Sequence, residues 1–216
     1  MEDKNNLYQF KFWQLFLIVS FIYIGIMYVS NTMIYSDAFY YNMLSQKMEI
    51  ARIKDIIEMQ HKYQIISYCI YPIILLLKLW SVAGVIFMVL YLLNQEVSYQ
   101  NCLKITLIAE LVSVVAMLVR VVWLLVAKPD NVNDIQYFSP LSLTQLLDLD
   151  SLPKYLFYPL QLFNIFEVGY WLVLAYGIMV FTNWKFEKSF KAVASGYGVA
   201  LAMWAVVVMF IQVQFS

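Results

Sequence analysis

Five long apolar segments constrain this chain more than any other feature of its sequence. They lie near residues 11–32, 64–93, 102–127, 156–181 and 190–212. Each is long enough to cross a bilayer, because about 20 helical residues span the hydrocarbon layer. A segment in lipid must satisfy its own backbone hydrogen bonds, which a helix does. The sequence therefore predicts an all-α polytopic bundle of five transmembrane helices, forming one domain over residues 1–216.

The composition excludes a soluble domain. Hydrophobic residues make up 63% of the 216 residues and charged residues 13%, whereas soluble domains are about half apolar and about a quarter charged. One soluble core of this size cannot bury that much apolar surface. The formal net charge is zero and no basic run occurs, so no nucleic-acid partner is expected. We expect a multi-pass protein of the cell (inner) membrane, surrounded by membrane lipids.

The first apolar segment is predicted to be an uncleaved membrane helix. A signal peptide has a short apolar core followed by a small-x-small cleavage site. Here the apolar run is as long as a membrane span, and no such site follows it.

Two stretches outside the spans are predicted to be amphipathic helices. Over residues 37–62, Ile50, Ile53 and Ile57 recur at helical spacing, with charges on the other faces. This helix either lies on the membrane or stands off it, and runs into the second span. Ser139 and Pro140 are typical of a cap and a first helical position, which predicts a short interfacial helix over 140–148.

The orientation in the membrane follows from the basic residues only in part. With the N-terminus inside, six basic residues fall on each side, so their count does not decide. The short loop "NWKFEKSFK" has three lysines against one glutamate, and this favours N-inside and C-outside. Cys69 and Cys102 then lie near opposite faces, so no disulfide is expected.

Four ionisable residues inside the spans form the predicted intramembrane charge cluster: Lys78, Glu110, Arg120 and Glu167. Charges at bilayer depth face the interior of a bundle and are paired. Lys78 and Glu167 both lie near the middle of their predicted spans, whereas Glu110 lies about 7 Å toward the inner face. Depth therefore predicts that Lys78 pairs with Glu167.

Polar residues extend each charge into a stripe along one helix face, as the 3–4 spacing requires. The supporting polar residues are Tyr71, Ser81, Ser113, Gln161 and Asn164. One interpretation is a set of interhelical bonds that fix helix register. The other is a proton or substrate pathway, which a helix broken at mid-depth would favour; only Pro72 indicates such a break.

Catalytic motifs are missing from the sequence. The chain has one histidine, His61, no cluster with zinc spacing, no G-x-S-x-G motif and no phosphate-binding loop. We expect no metal, no cofactor and no enzymatic activity. An intramembrane acid–base enzyme that uses Glu110 or Glu167 is an alternative.

The stretch "LQLFNIFEVGYWLVLAYGIMVFTNWKFEKSFKAV" resembles the core of Yip1-family membrane proteins. That family has an apolar helix with an acidic residue near an aromatic one, a following glycine, a short turn and a basic segment before the last helix. Gly177, Lys188 and Lys191 fall at the matching places. "FSPLSLTQLL" resembles the approach to this region in prokaryotic members. The resemblance covers residues 64–212 and implies a polytopic membrane protein, without the D-L-x-G-P-type motif of eukaryotic members.

Two functions are therefore expected from the sequence. The first is a non-enzymatic Yip1-like integral membrane protein that acts through lipids or partner proteins, with a membrane-protein partner or a homo-oligomer. The alternative is a small transporter or channel that uses the intramembrane polar seam.

Overall fold

The computed structural model describes Tyr8 and residues 10–45, 48–127, 138–142, 144 and 153–215. These residues form α1 (Phe12–Val29), α2 (Asp37–Leu44), α3 (Ile50–Leu92), α4 (Tyr99–Ala127), α5 (Phe157–Leu162), α6 (Ile165–Thr182), α7 (Phe186–Val193) and α8 (Val199–Phe215). Two π-helical turns continue α1 and join α7 to α8, over Ser30–Ile34 and Ala194–Gly198.

Five helical segments are long and apolar enough to cross a membrane: Phe12–Ile34, Ile50–Leu92, Tyr99–Ala127, Ile165–Thr182 and Phe186–Gln214. The predicted all-α, five-span fold is confirmed. Which end of the bundle faces the inside of the cell stays a prediction.

The second span is the longest helix and extends beyond the bilayer. It runs 43 residues and continues through Pro72, about twice the length that a membrane requires. The predicted amphipathic region is divided: α2 ends at Leu44 and α3 begins at Ile50. α2 packs on α3, where Ile53 and Ile57 are buried. The amphipathic region therefore runs into the second span, but as two helices and not one.

Helix α4 occupies the centre of the bundle and contacts α1, α3 and α6. Leu107 and Ala109 of α4 are completely buried. A short connection beginning at Asn94, which has φ 54°, joins α3 to α4, so the two helices form an antiparallel hairpin.

The N-terminal segment packs at one end of the bundle. Lys104 Nζ at the start of α4 donates to the Tyr8 carbonyl oxygen at 2.9 Å, and the Tyr8 ring lies 5.1 Å from that of Phe181 near the end of α6. Burial raises the pKa of the Tyr8 phenol to about 12. These three segments lie at the same end, as the alternation of the spans requires.

The predicted interfacial helix over 140–148 lies mostly outside the described residues. Its described beginning is a turn, since Leu141 has φ 54° and Ser142 forms an isolated antiparallel bridge with Asn164.

Candidate functional site

A helix break divides the predicted fourth span and directly precedes α6, the helix that is long and apolar enough to cross a membrane. The sequence predicts one helix over 156–181, but α5 ends at Leu162, Phe163 and Asn164 leave the helical conformation, and α6 begins at Ile165. Asn164 Oδ1 accepts a hydrogen bond from the Glu167 backbone N–H at 2.8 Å, as an N-cap does. The Ile165 N–H donates to the Leu141 carbonyl oxygen at 3.4 Å. We call Phe163–Asn164 the helix break.

The helix break lies near the middle of α4. A Cβ atom built on Gly169 lies 3.3 Å from the Val112 side chain, and one built on Gly177 lies 2.6 Å from Ile105. This antiparallel register, continued back from Gly169, places Asn164 opposite residue 117. The midpoint of α4 is residue 113, so at 1.5 Å per residue the break is about 6 Å from it.

A helix end near the middle of a membrane-spanning bundle is typical of ligand-binding sites. Irregular backbone in the hydrocarbon region is tolerated only where protein covers it or where it lines a cavity. Half-helices that begin near the bilayer midplane build the binding sites of many transporters. The sequence indicated a break only at Pro72, where α3 is continuous, and gave no such signal at Asn164.

Glu167, in the first turn of α6, forms the first of two polar clusters. Its Oε1 accepts hydrogen bonds from Trp171 Nε1 and from the Tyr197 hydroxyl, each at 2.9 Å. Trp171 is one turn further along α6, and Tyr197 lies in the π-helical turn of the fifth span. None of the ion pairs among the described residues includes Glu167. We call these three residues the Glu167 cluster.

Glu110 forms the second cluster, with Lys78 and Tyr23. Lys78 Nζ and the Tyr23 hydroxyl both donate to Glu110 Oε1 at 2.8 Å. The Glu110 side chain is 1% exposed and that of Lys78 44%. The second carboxylate oxygen, Oε2, is buried and has no hydrogen-bond partner among the described residues. We call this the Glu110 cluster.

The predicted pairing of Lys78 with Glu167 is wrong. Matching depth does not decide which helices are neighbours: the short hairpin connection places α3 beside α4, and the long lysine side chain covers its offset in depth from Glu110. Glu167 instead accepts hydrogen bonds from Trp171 and Tyr197.

Tyr170 lies between the two clusters. Its ring centroid is 5.6 Å from Lys78 Nζ and 5.4 Å from that of Tyr197. Its hydroxyl is buried without a hydrogen-bond partner in the described part of the chain. A row of polar side chains therefore runs from α1 through α4 and α6 to the fifth span.

Arg120 lies apart from both clusters. It lines a separate cavity of about 410 Å³ toward the end of α4, together with Asn31 and Gln161. Tyr71 is near the Glu110 cluster, with its ring 5.0 Å from that of Tyr23.

Three other predicted polar residues, Ser81, Ser113 and Asn164, are not members of either cluster. The exposed Ser81 hydroxyl donates to the carbonyl oxygen of Leu77 in its own helix. Ser113 is half-buried on α4. Asn164 caps α6.

A groove opens beside the helix break, between it and α8. Its volume is about 710 Å³. Leu162, Phe163, Val168, Leu201 and Ala205 are among the apolar side chains that line it. Its polar contributions include Glu167, Asn164 and Ser142. The groove is thus an apolar site with one polar end at the helix break.

Close packing holds one wall of the groove. A Cβ atom on Gly198 would lie 2.6 Å from the Trp171 ring. Only a glycine lets the π-helical turn before α8 come this close to the Trp171 indole, which also donates to Glu167.

Tyr23, Tyr170, Trp171 and Tyr197 were not predicted as site residues. Trp171 could have been, since it lies four residues after Glu167 on the same helix face. Tyr170 also lies on the helix of Glu167, three residues after it. Tyr23 and Tyr197 come from other elements, and only packing brings them to the carboxylates. No group of three or more His, Cys, Asp and Glu side chains suited to a metal ion occurs among the residues that the structure describes.

The chain matches no protein-family model, no curated protein and no solved structure. The resemblance to Yip1-family proteins therefore stays a prediction.

Proposed function

We propose that this protein is a non-enzymatic, multi-pass protein of the cell (inner) membrane that binds an amphiphilic lipid molecule in the groove beside the helix break. The groove carries the proposal: its volume of about 710 Å³ falls within the range of small-molecule sites, roughly 300–1,000 Å³. Such sites have mostly apolar walls and a few polar groups that orient the ligand.

The position of the groove supports a ligand from the bilayer. The break lies about 6 Å from the midpoint of α4, by helical rise, so a molecule entering from the side comes from the hydrocarbon region. Apolar walls from α5, α6 and α8 suit a hydrocarbon tail. The polar groups at the break suit the more polar end of the same molecule.

The chemistry of the groove favours binding over catalysis. Glu167 is the only ionisable side chain among the described residues that line it. The partners of its Oε1, Trp171 and Tyr197, are hydrogen-bond donors in this arrangement. An enzyme that works by covalent catalysis needs a nucleophile activated by a neighbouring base, and no hydrogen bond between such a pair is found among the described lining residues.

The exposed apolar surface of α8 also supports a role in binding lipids or membrane partners. Met203, Trp204, Val206 and Phe210 are more than half exposed, so this helix presents apolar side chains to lipid, to a partner membrane protein or to a second copy. The Yip1-type resemblance implies the same kind of protein.

Lipid retention tests the proposal. The full chain is purified in mild detergent, and bound lipids are measured by native mass spectrometry. Ala202→Trp places an indole in the groove, and Val207→Trp, on the exposed face of α8 opposite the groove, is the matched control. We expect the parent and Val207→Trp to retain lipid and Ala202→Trp to lose it. Equal retention by all three proteins would contradict the proposal.

A small transporter or channel is a second candidate. The mid-depth helix break favours it, together with the row of polar side chains that Tyr170 completes. Lys78→Met combined with Glu110→Gln removes both charges and leaves neither unpaired. In reconstituted liposomes this variant is expected to fold and to lose solute flux if the row conducts. If lipid retention persists and the parent shows no flux, the lipid-binding function stands alone.

A further inference from the structure

We propose that the groove selects amphiphiles that carry a cationic amine, and that the Glu167 carboxylate is the counter-charge. This inference rests on the proposed function, that the groove binds an amphiphile. It adds the chemical class of the ligand and the residue that recognises it.

The charge balance of the site is the first argument. Glu167 is the one ionisable side chain among the described residues that line the groove. The described ion pairs do not include it. A carboxylate at bilayer depth is costly unless a cation compensates it. A ligand ammonium group supplies that cation.

Hydrogen-bond donors surround the Glu167 carboxylate. Trp171 Nε1 and the Tyr197 hydroxyl donate to one of its oxygens. Glu167 also lies in the first turn of α6, where the helix dipole stabilises negative charge. The described neighbours of Glu167 therefore provide hydrogen bonds to a carboxylate but no cation.

The Glu110 cluster provides the internal comparison. That carboxylate receives Lys78 Nζ at 2.8 Å, so the chain itself neutralises it. Both glutamates accept two side-chain donors on Oε1, but only Glu110 has a lysine among them. Among the described residues, Glu110 contacts a cation and Glu167 does not, so we assign recognition of the ligand ammonium group to Glu167.

The geometry of the break suits an ammonium group in particular. A primary ammonium has three N–H donors. Glu167 and Asn164 both line the polar end of the groove, and each has oxygen lone pairs beyond the bonds it makes. A neutral alcohol of equal length offers one donor and no charge, so it gains the apolar contacts and one hydrogen bond but no ion pair.

Two probes of equal chain length test the inference: dodecylamine and dodecanol, added to the full chain in nanodiscs of phosphatidylcholine. The readout is the probe concentration that gives a half-maximal rise in unfolding temperature, since a ligand of the native state stabilises it. We expect the amine to act at a lower concentration than the alcohol. Glu167→Gln should weaken the amine about thirtyfold or more, as loss of one partner of a buried charge pair does, and leave the alcohol unchanged.

Controls separate this inference from the proposed function. Glu187→Gln removes an exposed carboxylate of the Lys191 pair and should behave as the parent. Ala202→Trp should weaken both probes. If the parent binds amine and alcohol equally, the inference is overturned, a result that needs no variant to fold. An unchanged amine preference in Glu167→Gln overturns it as well. If neither probe stabilises the parent, both this inference and the proposed groove fail.

Discussion

Lys78 Nζ lies 2.8 Å from Glu110 Oε1, and this ion pair joins α3 to α4. The acid is almost completely buried, whereas the lysine side chain is 44% exposed. Exposed pairs contribute little to stability, but a buried charge that loses its partner is costly. The pair is therefore asymmetric, because a partly exposed lysine neutralises a carboxylate that is almost completely buried.

Lys78→Met is expected to lower the free energy of unfolding by about 2–4 kcal/mol, because Glu110 is then left charged and buried. The double variant Lys78→Met with Glu110→Leu is expected to recover most of that loss. Thermal unfolding in detergent measures all three proteins. A Lys78→Met variant as stable as the parent would show that the pair is not needed for stability.

Gly177→Ala is expected to destabilise the bundle, since its Cβ would lie 2.6 Å from Ile105 and 2.9 Å from the Tyr8 hydroxyl. Overpacking of this kind costs about 1–3 kcal/mol. Gly84→Ala is the matched control, because nothing lies within 4 Å of its added Cβ. It should be neutral or stabilising by up to about 1 kcal/mol through helix propensity. Equal unfolding temperatures for the two variants would contradict the packing of α4 against α6.

Asn164→Ala removes the side-chain cap of α6 and is expected to cost about 1 kcal/mol. Asn164→Ser keeps a capping oxygen and should restore most of the stability. Unfolding temperatures measure both. If alanine and serine behave alike, the side chain does not hold the helix break.

Loss of the hydroxyl is expected to lower the stability of the protein at Tyr197 but not at Tyr170. Tyr197→Phe removes a donor to Glu167 and should cost about 1.5–3 kcal/mol, as hydrogen bonds to charged groups do. Tyr170→Phe removes a buried hydroxyl without a partner among the described residues, and it should be neutral or stabilising. A large loss in Tyr170→Phe would instead show that this hydroxyl has a partner, such as a bound water.

The two cysteines should differ in reactivity, because Cys69 is exposed and Cys102 buried. N-ethylmaleimide is expected to label one thiol in the folded protein in detergent and both after denaturation, as counted by intact mass. Cys69→Ala should abolish the native label. Rapid labelling of Cys102 in the folded protein would contradict the packing of α4.

Much of the architecture could be predicted from local patterns. The apolar segments indicated all five spans, and the isoleucine spacing matches the first turns of α3. Of the predicted charge cluster, Glu110 is buried and pairs with Lys78, whose side chain is 44% exposed, while Glu167 is half-buried and belongs to neither ion pair nor cation contact among the described residues. The break at Asn164 was missed, because Gln161, Asn164 and Glu167 also fit a polar stripe along one continuous helix.

The sequence by itself determined that this chain crosses a membrane five times as helices, because hydropathy and helical periodicity are properties of neighbouring residues. Only the tertiary structure decided that Lys78 meets Glu110 and not Glu167, that Trp171 and Tyr197 donate to Glu167, and that a groove lies beside the helix break. Those outcomes depend on which helices are neighbours and on how side chains distant in sequence pack. A pattern along one helix carries no information about the helix beside it.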